Sequence, residues 1–307
     1  MAFIKIFSFL LITQIIFSQK IPIIIDADTA NEVDDLFAIV GALTEPKFDI
    51  VGITTSQFHT SPYASNNTPL ESKIINDNIL SLLDYKLIPS LIGHNLPISS
   101  LDSISNSEAS DFIIKKAKLY SKINPLTIIV LGSCTNIATA IINDPSITKN
   151  IKVYYLGLWH DPETNYYNLN EFNTRNDPIA LNFILNNEDL DLTVMSATTS
   201  KNLVFNRSDV FSKLIEFNEL GLYLIKRWNS FKRWWTEVDK KNERWTMWDV
   251  ALVEAIANKD ISFKDLFDTP VLNKKRKIHI YTKINPNIMT ERYWKKIDFY
   301  MKRLNHE

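Results

Sequence analysis

A chain of 307 residues with 45% hydrophobic content is long enough for one large α/β domain, or two smaller ones, with a sizeable core. Its formal net charge is −1, and Lys and Arg are scattered outside the run Lys274-Lys275-Arg276-Lys277, which excludes the basic stripe of a nucleic-acid binder and makes that run a solvated turn. Cys134 is the only cysteine, so no internal disulfide forms, and without an adjacent His it reads as a small buried residue rather than a nucleophile.

In chain order, one Lys precedes an apolar stretch, Ile6 to Phe17, that ends at Ser18. That order predicts a secretory signal peptide over 1–18, the apolar part being short for a bilayer span. No Cys follows to take a lipid anchor. The mature protein, one domain over 19–307, is therefore expected in a periplasm or outside the cell, free of the membrane.

Ile21 to Ile25 is an apolar β-branched run that suits a strand buried on both faces. It exits into Asp26-Ala-Asp28-Thr-Ala-Asn31-Glu32-Val-Asp34-Asp35, and Leu36 to Val40 continues with helical character. In an open α/β sheet, ligands bind outside the carboxyl ends of the strands, where these aspartates sit. Four converging carboxylates repel one another unless protons or a cation intervene, and a hard divalent ion, Ca²⁺ or Mg²⁺, is the economical answer. The plainer reading is an acid-rich helix N-terminus capped by Asp26 or Asp28.

Further strands are expected at Phe48–Thr55, Leu87–Ile92, Leu126–Leu131, Ile151–Leu156 and Leu190–Met195, with helices at Thr68–Leu83, Ala109–Ser121, Asn136–Asn143 and Pro178–Asn186. Alternation of this kind implies βαβ units: an α/β fold with a largely parallel open sheet flanked by helices, Rossmann-like in layout. From about Ser208 to Trp248 the chain turns helical and aromatic, with Trp228, Trp234, Trp235, Trp245 and Trp248 crowded together. This stretch is expected as a helical, aromatic-rich cap towards the C-terminus, in which any one Trp is either core packing or ligand-facing.

Other segments near strand ends carry chemistry. Gly132-Ser-Cys134-Thr135-Asn136 leaves a strand and opens a helix. Asn165, Asn168, Asn170, Glu171, Asn173 and Asp177 form a polar cluster, and amides beside a carboxylate are what a polyhydroxylated ligand needs. Trp248-Asp249 opens an apolar helix, with Asp249 an N-cap on local grounds and a metal ligand on distant ones.

Taken together, these blocks resemble the nucleoside hydrolase family, the inosine-uridine-preferring N-ribohydrolases. The likeness rests on Asp26-Ala-Asp28 with Asp34-Asp35, Gly52-Ile-Thr-Thr55, Gly132-Ser-Cys-Thr135-Asn136-Ile-Ala, Asn165 with Glu171-Phe-Asn173 and Asp177-Pro, and Trp248-Asp249. It implies the nucleoside hydrolase fold and hydrolysis of the N-glycosidic bond of ribonucleosides to free base and ribose. It further implies Ca²⁺ ligated by the carboxylates of Asp28, Asp35 and Asp249 and the main-chain carbonyl of Thr135. Asp34, Asn165, Glu171 and Asn173 would hold ribose hydroxyls, and Asp28 would be the general base. A small-molecule nucleoside or riboside is the implied partner, and a homodimer or homotetramer the implied assembly.

The chain also departs from the family's pattern. Thr29 to Val33 is longer than the usual Gly-containing stretch, and His59 stands where a sugar-binding amide is usual, leaving it either a hydroxyl contact or a packing residue. Trp248 replaces the His that protonates the leaving base, and an indole donates no catalytic proton at neutral pH. Stacking of the base by Trp248 with Trp245, Trp235 or Trp159 would instead favour purine nucleosides. Two rival readings use the same residues. Asp26-Ala-Asp28-Thr29 also looks like the nucleophile strand of a haloacid-dehalogenase-type Mg²⁺ phosphatase, and the altered acid position fits an exported nucleoside- or sugar-binding protein without turnover.

Overall fold

The structure, a computed structural model, describes residues 20–102, 104–233 and 239–304. The expected signal peptide, Trp234 and Trp235 lie outside the described residues. The chain begins with β1 (Ile21–Ala27), α1 (Asp34–Leu43), β2 (Phe48–Thr55), α2 (Thr68–Leu82) and β3 (Ser90–Ile92). The third strand is shorter than expected because Pro89 has no N–H for the ladder and Leu87 stands in solvent. Next come α3 (Glu108–Ala117), β4 (Leu126–Val130), α4 (Thr135–Asn143), β5 (Ile151–Leu156) and a small hairpin of β6 (Trp159–Asp161) and β7 (Tyr166–Asn168). Then follow α5 (Phe172–Asn176), α6 (Pro178–Asn186), β8 (Asp191–Met195), α7 (Ala197–Ser200), β9 (Val204–Asn206), α8 (Arg207–Leu214), α9 (Asn218–Ser230), β10 (Arg244–Thr246) and α10 (Trp248–Ala257). The described chain closes with β11 (Ser262–Asp268), β12 (Lys277–Ile284) and α11 (Pro286–Leu304).

Eight strands form one sheet in the order β11-β12-β8-β5-β4-β1-β2-β3, parallel except where β11 meets β12. The chain travels outward from β1 to β3, then returns to the other side of β1 as β4. β1 and β4 therefore flank the point where strand order reverses, and their carboxyl ends open the crevice in which such sheets take ligands. Ile23, Ile24 and Ile25 of β1 are fully buried, as expected for a strand covered on both faces.

One face is covered by α1, α10 and α11, with Phe37, Trp228, Trp245 and Trp294 in its core, and the other by α3, α4 and α6 around Ile113, Ile137 and Leu181. Every residue of α1 is buried, so its acidic first turn is buried too. A Cβ on Gly41 would stand 2.8 Å from the Tyr293 ring, so glycine is what lets α11 close on α1, and the Tyr293 hydroxyl then donates to the Phe37 carbonyl at 2.9 Å.

The aromatic cap comprises α8, α9 and the antiparallel pair of β9 and β10, and its described residues are helical as far as Ser230. Trp228 and Trp245 are core, fully buried and 5.2 Å apart edge to face. The basic run forms the β11–β12 turn, with Lys274 and Lys275 exposed. Arg276 differs, since its guanidinium turns back to donate to the carbonyls of Asn187 and Leu190. The strands β11 and β12 and the helix α11 were not anticipated; β12 alternates polar and apolar residues because it lies near the sheet edge.

Candidate active site

The aspartates converge because two helices begin where β1 ends. Asp34 and Asp35 open α1, Asp249 lies in the first turn of α10, and Asp28 follows β1 directly. The Asn31 amide donates to the Asp28 carbonyl at 2.7 Å, folding the loop back, and the Ala30 amide donates to Ser72 Oγ on α2 at 3.1 Å. Asp34 joins both helix starts, accepting the Asp249 amide on Oδ2 at 3.2 Å. Carboxylate oxygens of Asp34, Asp35 and Asp249 lie within 4.8 Å of one another, and these acids and Asp28 are each at most 3% exposed.

Packing carboxyls this way is costly without a counter-charge. Burial drives the proton affinities of Asp28, Asp35 and Asp249 well up, and the neighbouring carboxylates push them further. Asp34 rises to about 7 through burial, held from going higher by backbone N–H groups at both helix starts. Asp28 Oδ2, Asp35 Oδ1 and Asp249 Oδ1 are buried with no hydrogen-bond partner. The converging oxygens of Asp34, Asp35 and Asp249 are the donor set of a hard divalent cation, and Asp28, outside that group but on the same cleft, adds a further unpartnered oxygen, so these residues fit such an ion.

These acids line a cleft of about 560 Å³ together with Leu131, Glu171, Asn173, Trp159 and Trp248. Gly132 keeps the β4 exit close to Asp28: a Cβ there would meet Ser56 Oγ at 2.1 Å and Asp28 Oδ1 at 3.0 Å. Asn173 reaches the cleft while its Nδ2 donates to the carbonyls of Leu131 and Leu156 at 2.6 and 3.2 Å. Glu171 is also the N-cap of α5, accepting the amides of Asn173 and Thr174 at 3.1 and 2.9 Å and that of Leu158 at 3.1 Å. Burial raises its pKa despite those donors.

Three expected site residues stand elsewhere. Thr135 does not line the cleft; it begins α4, so its carbonyl enters the helical ladder, and its hydroxyl donates to Asp177 Oδ2 at 2.8 Å. The strand-exit residue that does line the cleft is Leu131. Asn165 turns the β6–β7 hairpin at φ 54°, with Oδ1 2.9 Å from His160 Nε2 and its amide on the Asp268 carbonyl at 3.3 Å. Its neighbour Asn170 lines the cleft instead. His59 is exposed and outside the lining. Asp26 is no nucleophile: it is fully buried, with Oδ1 held by Thr54 Oγ1 at 2.7 Å and Asn136 Nδ2 at 2.8 Å, and it pins β1 to β2 and α4.

The aromatic wall is an open corner rather than a sandwich. Trp159 and Trp248, both half-buried, meet edge to face with centroids 5.9 Å and planes 89° apart. A flat ring can stack on one indole while meeting the other's edge. Trp245 cannot join them, being enclosed by Trp228 and Phe231. Asn31, Glu32, Phe172, Arg175 and Thr246, to which the sequence alone assigns no role, also line the cleft. The available signal was an amide and a further acid in a loop already crowded with aspartates.

Comparison with known proteins bears on this cleft. The model of a family described as inosine-uridine preferring nucleoside hydrolase matches residues 23–293. A curated relative, probable uridine nucleosidase 2 of Arabidopsis thaliana, is 26% identical over 223 residues, 66% of this chain and 67% of the relative. Among solved structures, a plant nucleoside hydrolase, the PpNRh1 enzyme, has a TM-score of 0.71 at 17% identity, covering 91% of this chain and 99% of that one. The purine-preferring ribonucleoside hydrolase from Gardnerella vaginalis also gives 0.71, at 18% identity over 92% and 99%.

Proposed function

Because the chain belongs to the inosine-uridine preferring nucleoside hydrolase family, a family of metal-dependent ribonucleoside N-ribohydrolases, we propose that its cleft cleaves purine ribonucleosides in preference to pyrimidine ones, with Ca²⁺ as the metal. The observation that carries this reading is the set of orphaned, buried carboxylate oxygens at the β1 exit. Asp28, Asp35 and Asp249 would hold the ion, and Leu131 is the strand-exit residue on the cleft that could add a main-chain carbonyl. When bound, the ion neutralises the acid cluster and acidifies water beside it.

Asp28, relieved of its neighbours' repulsion, would take a proton from the attacking water. Asp34, Glu171 and Asn173 orient ribose hydroxyls, and Asn170 takes the place expected of Asn165. The carboxylates lie beneath the ring, so they stabilise the oxocarbenium-like transition state more than the neutral substrate. Purine preference is supported by the Trp159–Trp248 corner, whose area favours the larger ring. Residues 1–18 support export as a cleaved signal peptide, and self-association into a dimer or tetramer belongs to the same reading.

The test is release of free base from inosine, guanosine, adenosine, uridine and cytidine, with Ca²⁺ and after chelation. Purine turnover lost on chelation and restored by Ca²⁺ is expected. Faster uridine turnover would overturn the preference, restoration by Mg²⁺ alone would overturn the choice of ion, and saturable binding without base release would overturn the hydrolase reading.

A further inference from the structure

Resting on the hydrolase reading of this cleft, we propose that its best substrates are ribosides whose base carries a fixed positive charge, namely N7-alkylated purine and N-ribosyl pyridinium ribosides, selected by Glu32 and the Trp159–Trp248 corner. The polar lining is one-sided. Asp28, Glu32, Asp34, Asp35, Glu171 and Asp249 all line the cleft, against Arg175 as the one basic residue among its described lining. A single divalent ion offsets two of these acids, and the remaining carboxyls are left to the ligand, Glu32 among them, whose proton affinity burial and its acidic neighbours raise until a cation stands beside it.

Two acceptors outside the metal cluster point the same way. Asn31, 6% exposed, has an unpartnered Oδ1, and Glu32 an unpartnered, buried Oε2. Both residues line the cleft, and no lining residue offers an unpartnered buried donor among those described. Such a site is complementary to a cation or a ring of N–H donors, not to an anion or an acceptor-rich ring. The two indoles add the faces on which a cationic ring binds.

The bond chemistry agrees. When the C1′–N bond of a neutral nucleoside breaks, the base takes the electron pair and needs a proton. The described lining contains no His, Lys, Cys or Tyr to give one, which leaves that task to a buried carboxyl such as Glu32 or Glu171. With a cationic base the same electron pair neutralises the ring, and the base departs unprotonated. Water adds its oxygen to C1′ and gives one proton to Asp28, so that riboside cation and water yield ribose, neutral base and one proton.

The test uses the Ca²⁺-loaded protein and two measurements. First, kcat/KM is compared for 7-methylguanosine against guanosine and for nicotinamide riboside against uridine, each pair corrected by its ratio of uncatalysed rates. An advantage of about tenfold for the charged member is expected, in line with a desolvated cation–π and carboxylate contact, and E32Q should shrink it. Second, inhibition by 1-methylnicotinamide, the pyridinium cation, should exceed that by nicotinamide, a comparison free of leaving-group lability and of any variant. No charged advantage with neutral nucleosides cleaved overturns this inference alone. An E32Q variant that loses neutral substrates but keeps charged ones also overturns it, since Glu32 would then be the proton donor. Turnover of neither class overturns both this inference and the hydrolase reading.

Discussion

Chelating the protein and raising the pH should unfold it at progressively lower temperature. Asp34 binds a proton more tightly folded than free, its pKa moving from 3.8 to about 7. Its contribution to stability is therefore complete below about pH 4 and is lost as pH rises through about 7. At about 1.4 kcal/mol per tenfold change in proton affinity, that rise corresponds to about 4 kcal/mol. Asp28, Asp35 and Asp249 are shifted in the same direction. Somewhat over half of that is lost between about pH 5 and 8, which for a chain of this size lowers Tm by roughly 4 °C from Asp34 alone, with the other acids adding to it. Calcium replaces the protons as counter-charge, so the saturated protein should show a nearly flat profile and a higher Tm. His94 and His160, whose pKa values burial lowers, titrate in both samples, so the gap between the curves reports the acid cluster. The assay is thermal unfolding by circular dichroism with chelator or excess Ca²⁺. A chelated Tm that stays level or rises over this range would refute the argument.

Replacing Asp249 by Asn should lower kcat by about a hundredfold or more and weaken Ca²⁺ binding by calorimetry. The same D249N protein should have a raised Tm under chelation, because one repelling buried acid is gone. Gly132→Ala should displace Asp28, costing about a hundredfold in kcat and weakening Ca²⁺ binding by calorimetry, since its new Cβ would fall 2.1 Å from Ser56 Oγ and 3.0 Å from Asp28 Oδ1. Trp248→Ala should raise KM for inosine by up to about tenfold through lost stacking. Trp248→His places an imidazole on the cleft wall and should speed uridine cleavage relative to inosine, as measured by initial rates on both nucleosides.

The central sheet was legible where side-chain chemistry and strand burial coincide. Ile23 to Ile25 reads as a doubly covered strand and is one, and Pro178–Asn186 begins and ends as a helix where Pro178 and the local pattern require. β12 and α11 escaped because their cues are tertiary. The alternation in Lys277–Ile284 is a weak local signal, and α11 carries its apolar residues on one stripe, Met289, Tyr293, Ile297 and Met301, whose partner α1 is more than two hundred residues earlier in the chain.

The site shows a sharper division between what residue type encodes and what geometry decides. Four aspartates at one strand exit repel one another, so Asp26, Asp28, Asp34 and Asp35 announce themselves through electrostatics alone, whereas Asp249 is reached in the sequence only through the family resemblance. Amides give no such warning, because an Asn serves a turn as readily as a ligand. Asn165 is spent on the hairpin while Asn170, five residues on, reaches the cleft. For Thr135 the deciding fact is where α4 starts: a residue inside the first turn gives its carbonyl to the helix, whereas Leu131, before the turn, lines the cleft. Glu32 joins both kinds of reasoning. Its charge was visible among the aspartates, but only the fold shows that the longer loop turns this acid into the cleft with an oxygen unpartnered, which makes it a determinant of what the cleft accepts.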